Sequence, residues 1–175
     1  MRKIIVSIFI VLTFLCSCSG KKETALDWIN KSNLLWDGKQ YTEPKKAVEY
    51  LNNAIKIQPN NAEAYSKRGS AYYNLGQYLS TIEDDSEAIR LKPDYVLAYY
   101  NRGNAYVNLG QYQRAIEDYN QVTRLESNYA NAYCNRGLLY LLQGNKERGC
   151  PDVKKACELG NCSGLEKAKV KGYCS

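Results

Sequence analysis

Apolar and polar positions along the middle of this chain recur with a fixed period of 34 residues. Tyr65, Arg68, Gly69, Tyr72, Gly76 and Tyr78 return as Tyr99, Arg102, Gly103, Tyr106, Gly110 and Tyr112, and again as Tyr133, Arg136, Gly137, Tyr140 and Gly144. A period of this length marks stacked helix pairs, each too small to bury its apolar face alone. Tyr65 and Tyr72, or Tyr99 and Tyr106, stand seven residues apart, which puts them two turns apart on one helix face. Gly69 and Gly103 lie between them, where a side chain would hold the two helices of a pair apart. Gly76 and Gly110 end the first helix of their units, as glycine does where the chain turns left-handed. Pro93 stops the second helix of its unit.

This spacing of small and large residues resembles the tetratricopeptide repeat. The resemblance implies an all-α fold, a right-handed superhelical stack of antiparallel helix pairs closed by a C-terminal capping helix. A divergent first unit is expected over 25–60, regular units over 61–95, 96–129 and 130–162, and the capping helix over 163–175. In the first unit Ala47, Leu51, Ala54 and Pro59 keep the repeat pattern, and Pro44 suits the first turn of its helix. Trp28 and Leu35 are spaced like a tyrosine pair, but extra residues around 39–43 predict a longer turn. Two positions depart from the family. Asp85 stands where the family places a large aromatic, as Tyr119 does in the next unit, and Thr81 replaces a small alanine. A carboxylate at such a position needs a hydrogen-bond partner or water. In the last unit Ala156 keeps the pattern while Gly149 replaces alanine, and Leu165, Ala168 and Val170 form the apolar side of a closing segment.

The amino terminus reads differently. Arg2 and Lys3 precede a run over 4–15 that is apolar apart from Ser7 and Thr13, too short to span a bilayer and flanked like a signal peptide. It ends in Leu15-Cys16-Ser17-Cys18, which resembles the bacterial lipoprotein box. The resemblance implies a signal peptide over 1–17, a lipidated Cys18 and a linker over 18–24. Several acyl chains on one residue give stable anchoring. Ser19, rather than an aspartate, follows the cysteine, which in that family favours the outer membrane of the bacterial envelope.

Charge and chemistry narrow the function. Two of the 24 basic side chains, Arg2 and Lys3, lie in the leader, leaving 22 against 18 acidic ones and a net charge of +4. These charges are interspersed, as on solvated helix faces, and Lys167, Lys169 and Lys171 read the same way. No basic stripe carries stacking aromatics, so no nucleic-acid partner is expected. The chain has no histidine, hence neither the commonest general base nor the commonest metal ligand. No catalytic residues, cofactor or metal are expected. Cys134, Cys150, Cys157, Cys162 and Cys174 remain beyond the leader and anchor, and their spacing does not suit zinc. If the closing helix folds back antiparallel, Cys157 meets Cys162 and Cys150 meets Cys174, with Cys134 left free. Cys150 and Cys157 are two turns apart on one helix and cannot bond to each other.

Each of the last three units also carries an arginine and, sixteen residues on, an aspartate: Arg68 and Asp84, Arg102 and Asp118, Arg136 and Asp152. Pairing within the unit leaves none over, so these are expected as structural ion pairs. The family resemblance implies a protein or peptide partner held on the concave face by the first helices. Carried over, the wall positions are Glu63, Ser66, Ser70, Tyr73 and Asn74, then Leu97, Tyr100, Asn104, Val107 and Asn108, then Asn131, Cys134, Leu138, Leu141 and Leu142. Tyr73, Asn74, Tyr100, Asn104, Asn108, Leu138 and Leu142 are the expected binding residues. The fifth position, Ser66, Tyr100 and Cys134, lacks the lysine of the chaperone-tail clamp, so capture of a terminal carboxylate is not expected. The alternative is a structural subunit or scaffold of an envelope complex, working through its convex face or edges.

Cys18→Ser is expected to release the protein into the soluble fraction or leave the leader uncut. Membrane fractionation with mass spectrometry of the amino terminus checks this. Fully processed variant that still sediments with membranes contradicts it.

Overall fold

The structure, a computed structural model, describes residues 22–174. The leader over 1–17, the proposed anchor Cys18 and the linker as far as residue 21 lie outside the described residues. The described residues form nine α-helices: α1 Ala25–Asn33, α2 Pro44–Ile57, α3 Ala62–Asn74, α4 Tyr78–Leu91, α5 Val96–Asn108, α6 Tyr112–Leu125, α7 Ala130–Leu142, α8 Lys146–Glu158 and α9 Ser163–Val170. Helices α1 to α8 stack as four antiparallel pairs in a right-handed solenoid, and α9 packs across α7 and α8. None of the described helices is long and apolar enough to cross a membrane.

The pairs pack closely because small residues line their seams. Ala64, Ala71, Ala98, Ala105 and Ala132 on the first helices, and Ala47, Ala88, Ala115 and Ala156 on the second, are fully buried. At the centre of each seam one residue of the second helix presses on the first: Leu51, Asp85, Tyr119 and Val153, all fully buried. Opposite three of them stands a glycine. A Cβ on Gly103 would lie 2.8 Å from the Tyr119 ring, and one on Gly137 would lie 2.9 Å from Val153 Cγ1. The turns between paired helices use glycine for its freedom at positive φ, 72° at Gly76 and 71° at Gly110.

The first pair departs from the expected tyrosine-like spacing. α1 stops at Asn33, so Trp28 lies on the helix and Leu35 beyond it. The chain turns at Asp37, whose carboxylate accepts from the backbone N–H of Lys39 at 2.8 Å and Gln40 at 2.9 Å, with Gly38 at φ 96°. This local hydrogen bonding competes with helix. The loop then bridges Trp36 to Tyr41 and buries Tyr41 near Ala47 and Ala71.

At the other end Cys150 is bonded to Cys174 and Cys157 to Cys162, with Cα–Cα separations of 5.7 Å and 3.9 Å. Cys134 is a free, buried thiol, its sulfur 3.7 Å from Ser163 Oγ. Gly164 approaches it so closely that a Cβ there would meet the sulfur at 2.7 Å.

Asp85 is the anomaly of the core. It faces Gly69 as Tyr119 faces Gly103, but neither of its carboxyl oxygens, nor the Ser66 hydroxyl, has a hydrogen-bond partner among the described residues. Burial pushes its pKa well above the ordinary carboxyl range; the Ser66 hydroxyl, close by but not in hydrogen-bonding geometry, opposes this, as does Arg102, while Asp84 and Asp118 add to it. Tyr95 lies near the same cluster and stays protonated, its pKa raised to about 12 by burial. The folded chain therefore holds the Asp85 proton more tightly than the unfolded chain does. The stability this confers is full below the unfolded pKa of about 4 and is lost as pH rises through the raised folded value. Relative to Asp85→Asn, the wild-type protein is expected to lose at most about 1.4 kcal/mol per pH unit across that window. Urea titrations of both proteins at several pH values measure this. A stability difference that does not change with pH contradicts it.

Candidate functional site

α3, α5 and α7 lie side by side and form the concave face, closed at one end by the loop over 34–43 and at the other by α9. Three hollows run along it. The first, about 360 Å³, is lined by residues including Trp36, Tyr73, Asn74, Tyr100, Asn101, Asn104 and Tyr129. The second, about 250 Å³, shares Tyr73 and Asn104 with the first and adds Asn108, Tyr119, Asn135 and Leu138. The third, about 270 Å³, shares Leu138 and Leu139 with the second and lies between α7 and α9. Their shared walls make them one channel, polar-aromatic at one end and apolar at the other. Among the described residues no carboxylate side chain lines any of the three.

The sequence-derived wall residues divide into two sets. Tyr73, Asn74, Tyr100 and Asn104 line the first hollow, Asn108 and Leu138 the second, and Leu142 the third. Ser66 and Cys134 are buried instead, and Leu141 is buried but for an edge on the third hollow. Ser66 sits beside the Asp85 cluster, whereas Cys134 and Leu141 pack beneath the capping segment. A wall position in one unit is covered when its neighbour brings a helix over it, which α9 does to the last unit.

Residues outside the expected set also reach the channel. Tyr119 belongs to a second helix, yet its ring passes over Gly103 and its hydroxyl donates to Asn104 Oδ1 at 2.7 Å. The missing side chain at Gly103 was the available signal. Asn101 and Asn135 were legible only as members of the same column one turn away. Trp36 arrives on the irregular loop, which no repeat position anticipates.

The asparagines link neighbouring units. Asn135 Nδ2 donates to Asn104 Oδ1 at 3.1 Å, Asn108 Nδ2 to the Tyr73 hydroxyl at 2.9 Å, and Asn101 Nδ2 to Ser70 Oγ at 2.9 Å. Asn74 Oδ1 accepts from the Tyr41 N–H at 2.8 Å. Asn104 thus accepts from both Tyr119 and Asn135, and its amide lies beside the Tyr100 hydroxyl, while Asn108 Nδ2 also donates to the Asn104 carbonyl at 2.9 Å. Tyr100 stacks at an angle between Tyr119 and Tyr129, with ring centroids 6.0 Å and 5.0 Å away. Burial raises the pKa of all three rings, that of Tyr129 to about 12, so their hydroxyls remain proton donors at neutral pH.

The arginine–aspartate pairs hold this surface from outside the channel. Arg68 Nε and Nη2 meet Asp84 at 2.8 and 2.6 Å, Arg102 meets Asp118 at 2.9 and 2.7 Å, and Arg136 meets Asp152 at 2.7 and 2.8 Å. The remaining Nη1 of each arginine reaches back sixteen residues into the preceding unit, to Asn52 Oδ1 at 2.6 Å, Ser86 Oγ at 3.0 Å and Asn120 Oδ1 at 2.8 Å. Each guanidinium thus joins three helices. None of the three lines the channel. Among the described residues no group of three or more carboxylates and cysteines converges as metal ligands would.

Comparison with known proteins places this geometry. The family described as TPR repeat matches residues 43–76, 82–110 and 103–144, and the related Tetratricopeptide repeat description matches 62–95 and 130–159. The chain is 38% identical over 68 residues to the translocon at the outer membrane of chloroplasts 64 of Pisum sativum, a stretch that is 39% of this chain and 11% of that protein. It therefore spans about a tenth of that relative's length. Among solved structures it is similar to MamA, with a TM-score of 0.71 and 27% identity over 84% of this chain and 81% of that one. It is also similar to the first TPR domain of Spaghetti (RPAP3) bound to the HSP90 peptide SRMEEVD, with a TM-score of 0.66 and 25% identity over 69% and 94% of the two chains.

Arg102→Met leaves Asp118, whose side chain is 6% exposed, without its bidentate partner. The expected loss of stability is about 3 kcal/mol, and Arg102→Met combined with Asp118→Leu should lose less, because no stranded charge remains. Chemical denaturation of the three proteins decides this. A double variant less stable than the single one contradicts it.

Proposed function

Because the chain belongs to the tetratricopeptide repeat family, we propose that it is a membrane-tethered interaction module that holds a peptide or protein segment in its concave channel. The observation that carries this reading is the row of adjoining hollows along the concave face, with tyrosines and asparagines at one end and leucines at the other. Tyrosine supplies contact area at low entropy cost, and asparagine amides suit a peptide backbone. The RPAP3 domain, of the same fold, is bound to an HSP90 peptide. The partner here is not gripped by a terminal carboxylate, since Ser66 and Cys134 are buried and Tyr100 stands at the third equivalent position. The binding residues are Tyr73, Asn74, Tyr100, Asn104, Asn108, Leu138 and Leu142.

The tether is acylated Cys18, exposed as the new amino terminus once the leader over 1–17 is removed, and it places the module in the bacterial envelope at the outer membrane. Behind the tether follow the linker over 18–24, the four units and the closing helix. The reading includes no catalytic step. The four disulfide-bonded cysteines and the three arginine–aspartate pairs serve the framework.

The test is crosslinking and recovery of the native partner from membranes, comparing wild type with Tyr100→Ala/Asn104→Ala and with Leu142→Ser. Leu142 is 61% exposed, so its replacement leaves the core intact. Each variant, folded by circular dichroism, is expected to bind the partner about tenfold more weakly. Unchanged capture by both contradicts the channel as binding surface and moves the function to the convex face or the edges, as in an assembly scaffold.

A further inference from the structure

The third hollow differs from the rest of the channel in kind. Leu138, Leu139, Leu141 and Leu142 make its α7 side, and Ala168 and Tyr173 its far wall. Among the described residues its only charged lining is Lys167 and Lys171, one helical turn apart on the α9 side. Both lysines are exposed, and neither joins an ion pair among the described residues. At the opposite end of the channel the only charged lining is again a lysine, Lys39. With no carboxylate side chain along the channel among the described residues, a basic side chain of a partner finds no side-chain counter-charge there, whereas an acidic one finds Lys167 and Lys171 beside an apolar hole.

Resting on the channel reading, we infer that this end of the groove selects a segment in which a bulky apolar side chain, of the size of leucine, methionine or phenylalanine, is flanked by carboxylates. The apolar side chain enters the leucine hollow and the flanking carboxylates reach the two ammonium groups at its rim. The hollow is formed before binding. Its far wall is tied to α8 by the Cys150–Cys174 bond next to Tyr173, and Ala168 is buried against the Leu141 and Val153 cluster. A preformed wall removes the ordering cost from binding. Rim lysines act on encounter rate and salt dependence as well as affinity. Lys169 and Val170, both exposed, do not line the hollow, so the lysine pair addresses an inserted side chain and not a flat surface.

The test pans a phage-displayed library of random dodecapeptides against the oxidised, mature protein. Affinities of the selected peptides are then measured by fluorescence polarisation. The expected peptides place Asp or Glu next to Leu, Met or Phe. Their affinity should fall about tenfold or more in Lys167→Glu/Lys171→Glu and in Leu142→Asp. It should also fall between about 50 and 500 mM salt in the wild type and much less in the charge-reversed variant. Peptides without acidic residues, or peptides indifferent to both variants but lost on Tyr100→Ala/Asn104→Ala, overturn this inference and leave the channel reading standing. No enrichment at all overturns both. Sedimentation with phosphatidylglycerol–phosphatidylcholine vesicles, abolished by the charge reversal and accompanied by no lysine-dependent peptide, overturns the inference in favour of a lipid-facing patch.

Discussion

The structure depends on how closely the two helices of a pair can approach. At the centre of each regular seam a glycine on the first helix accepts a residue of the second: Gly69 with Asp85, Gly103 with Tyr119, Gly137 with Val153. Protein interiors are packed densely enough that one added methyl group at such a contact must displace something. At Gly103 the displaced group would be the Tyr119 ring. That ring connects the fold to the site, because its hydroxyl emerges beside Asn104 in the channel. The residue that fixes the spacing of the pair therefore also furnishes part of the channel wall.

Two sets of polar contacts turn these pairs into a rigid surface. Each of Arg68, Arg102 and Arg136 clamps its own pair through an aspartate and the preceding pair through an amide or hydroxyl. On the concave side Asn101, Asn108 and Asn135 bond back to Ser70, Tyr73 and Asn104. In a solenoid each unit contacts only its neighbours, so curvature is the sum of small rotations at these joints. Contacts that repeat on both sides of the joint hold that rotation. The channel is consequently shaped by the stack before any partner arrives.

The two ends of the stack solve a different problem, since each has an unpaired face. At the amino end a short α1 and an Asx turn at Asp37 let Tyr41 and Trp36 fold over the neighbouring unit. At the carboxy end α9 covers Cys134, Leu141 and Val153 and is bonded to α8 at both ends. Asp85 is the one place inside the stack where local chemistry conflicts with position. A carboxyl occupies an aromatic site with only the Ser66 hydroxyl beside it, and burial raises its pKa well above the ordinary carboxyl range.

The sequence by itself determined the helices, their pairing and the all-α stack. A 34-residue period leaves one arrangement in which every unit buries its apolar face against the next. It also placed arginine and aspartate on facing helices, and tyrosines, asparagines and leucines along the concave column, because position in the period determines which face a side chain occupies. Depth is a different quantity. Ser66, Cys134 and Leu141 stand on the expected column but are buried, since Asp85 and Tyr95 surround the first and the α9 segment covers the other two. Tyr119 and Trp36 reach the channel from a second helix and from a loop. Only the tertiary structure decided these points, because exposure is set by neighbours distant in the chain and by the path of an irregular turn, neither of which a periodic pattern encodes.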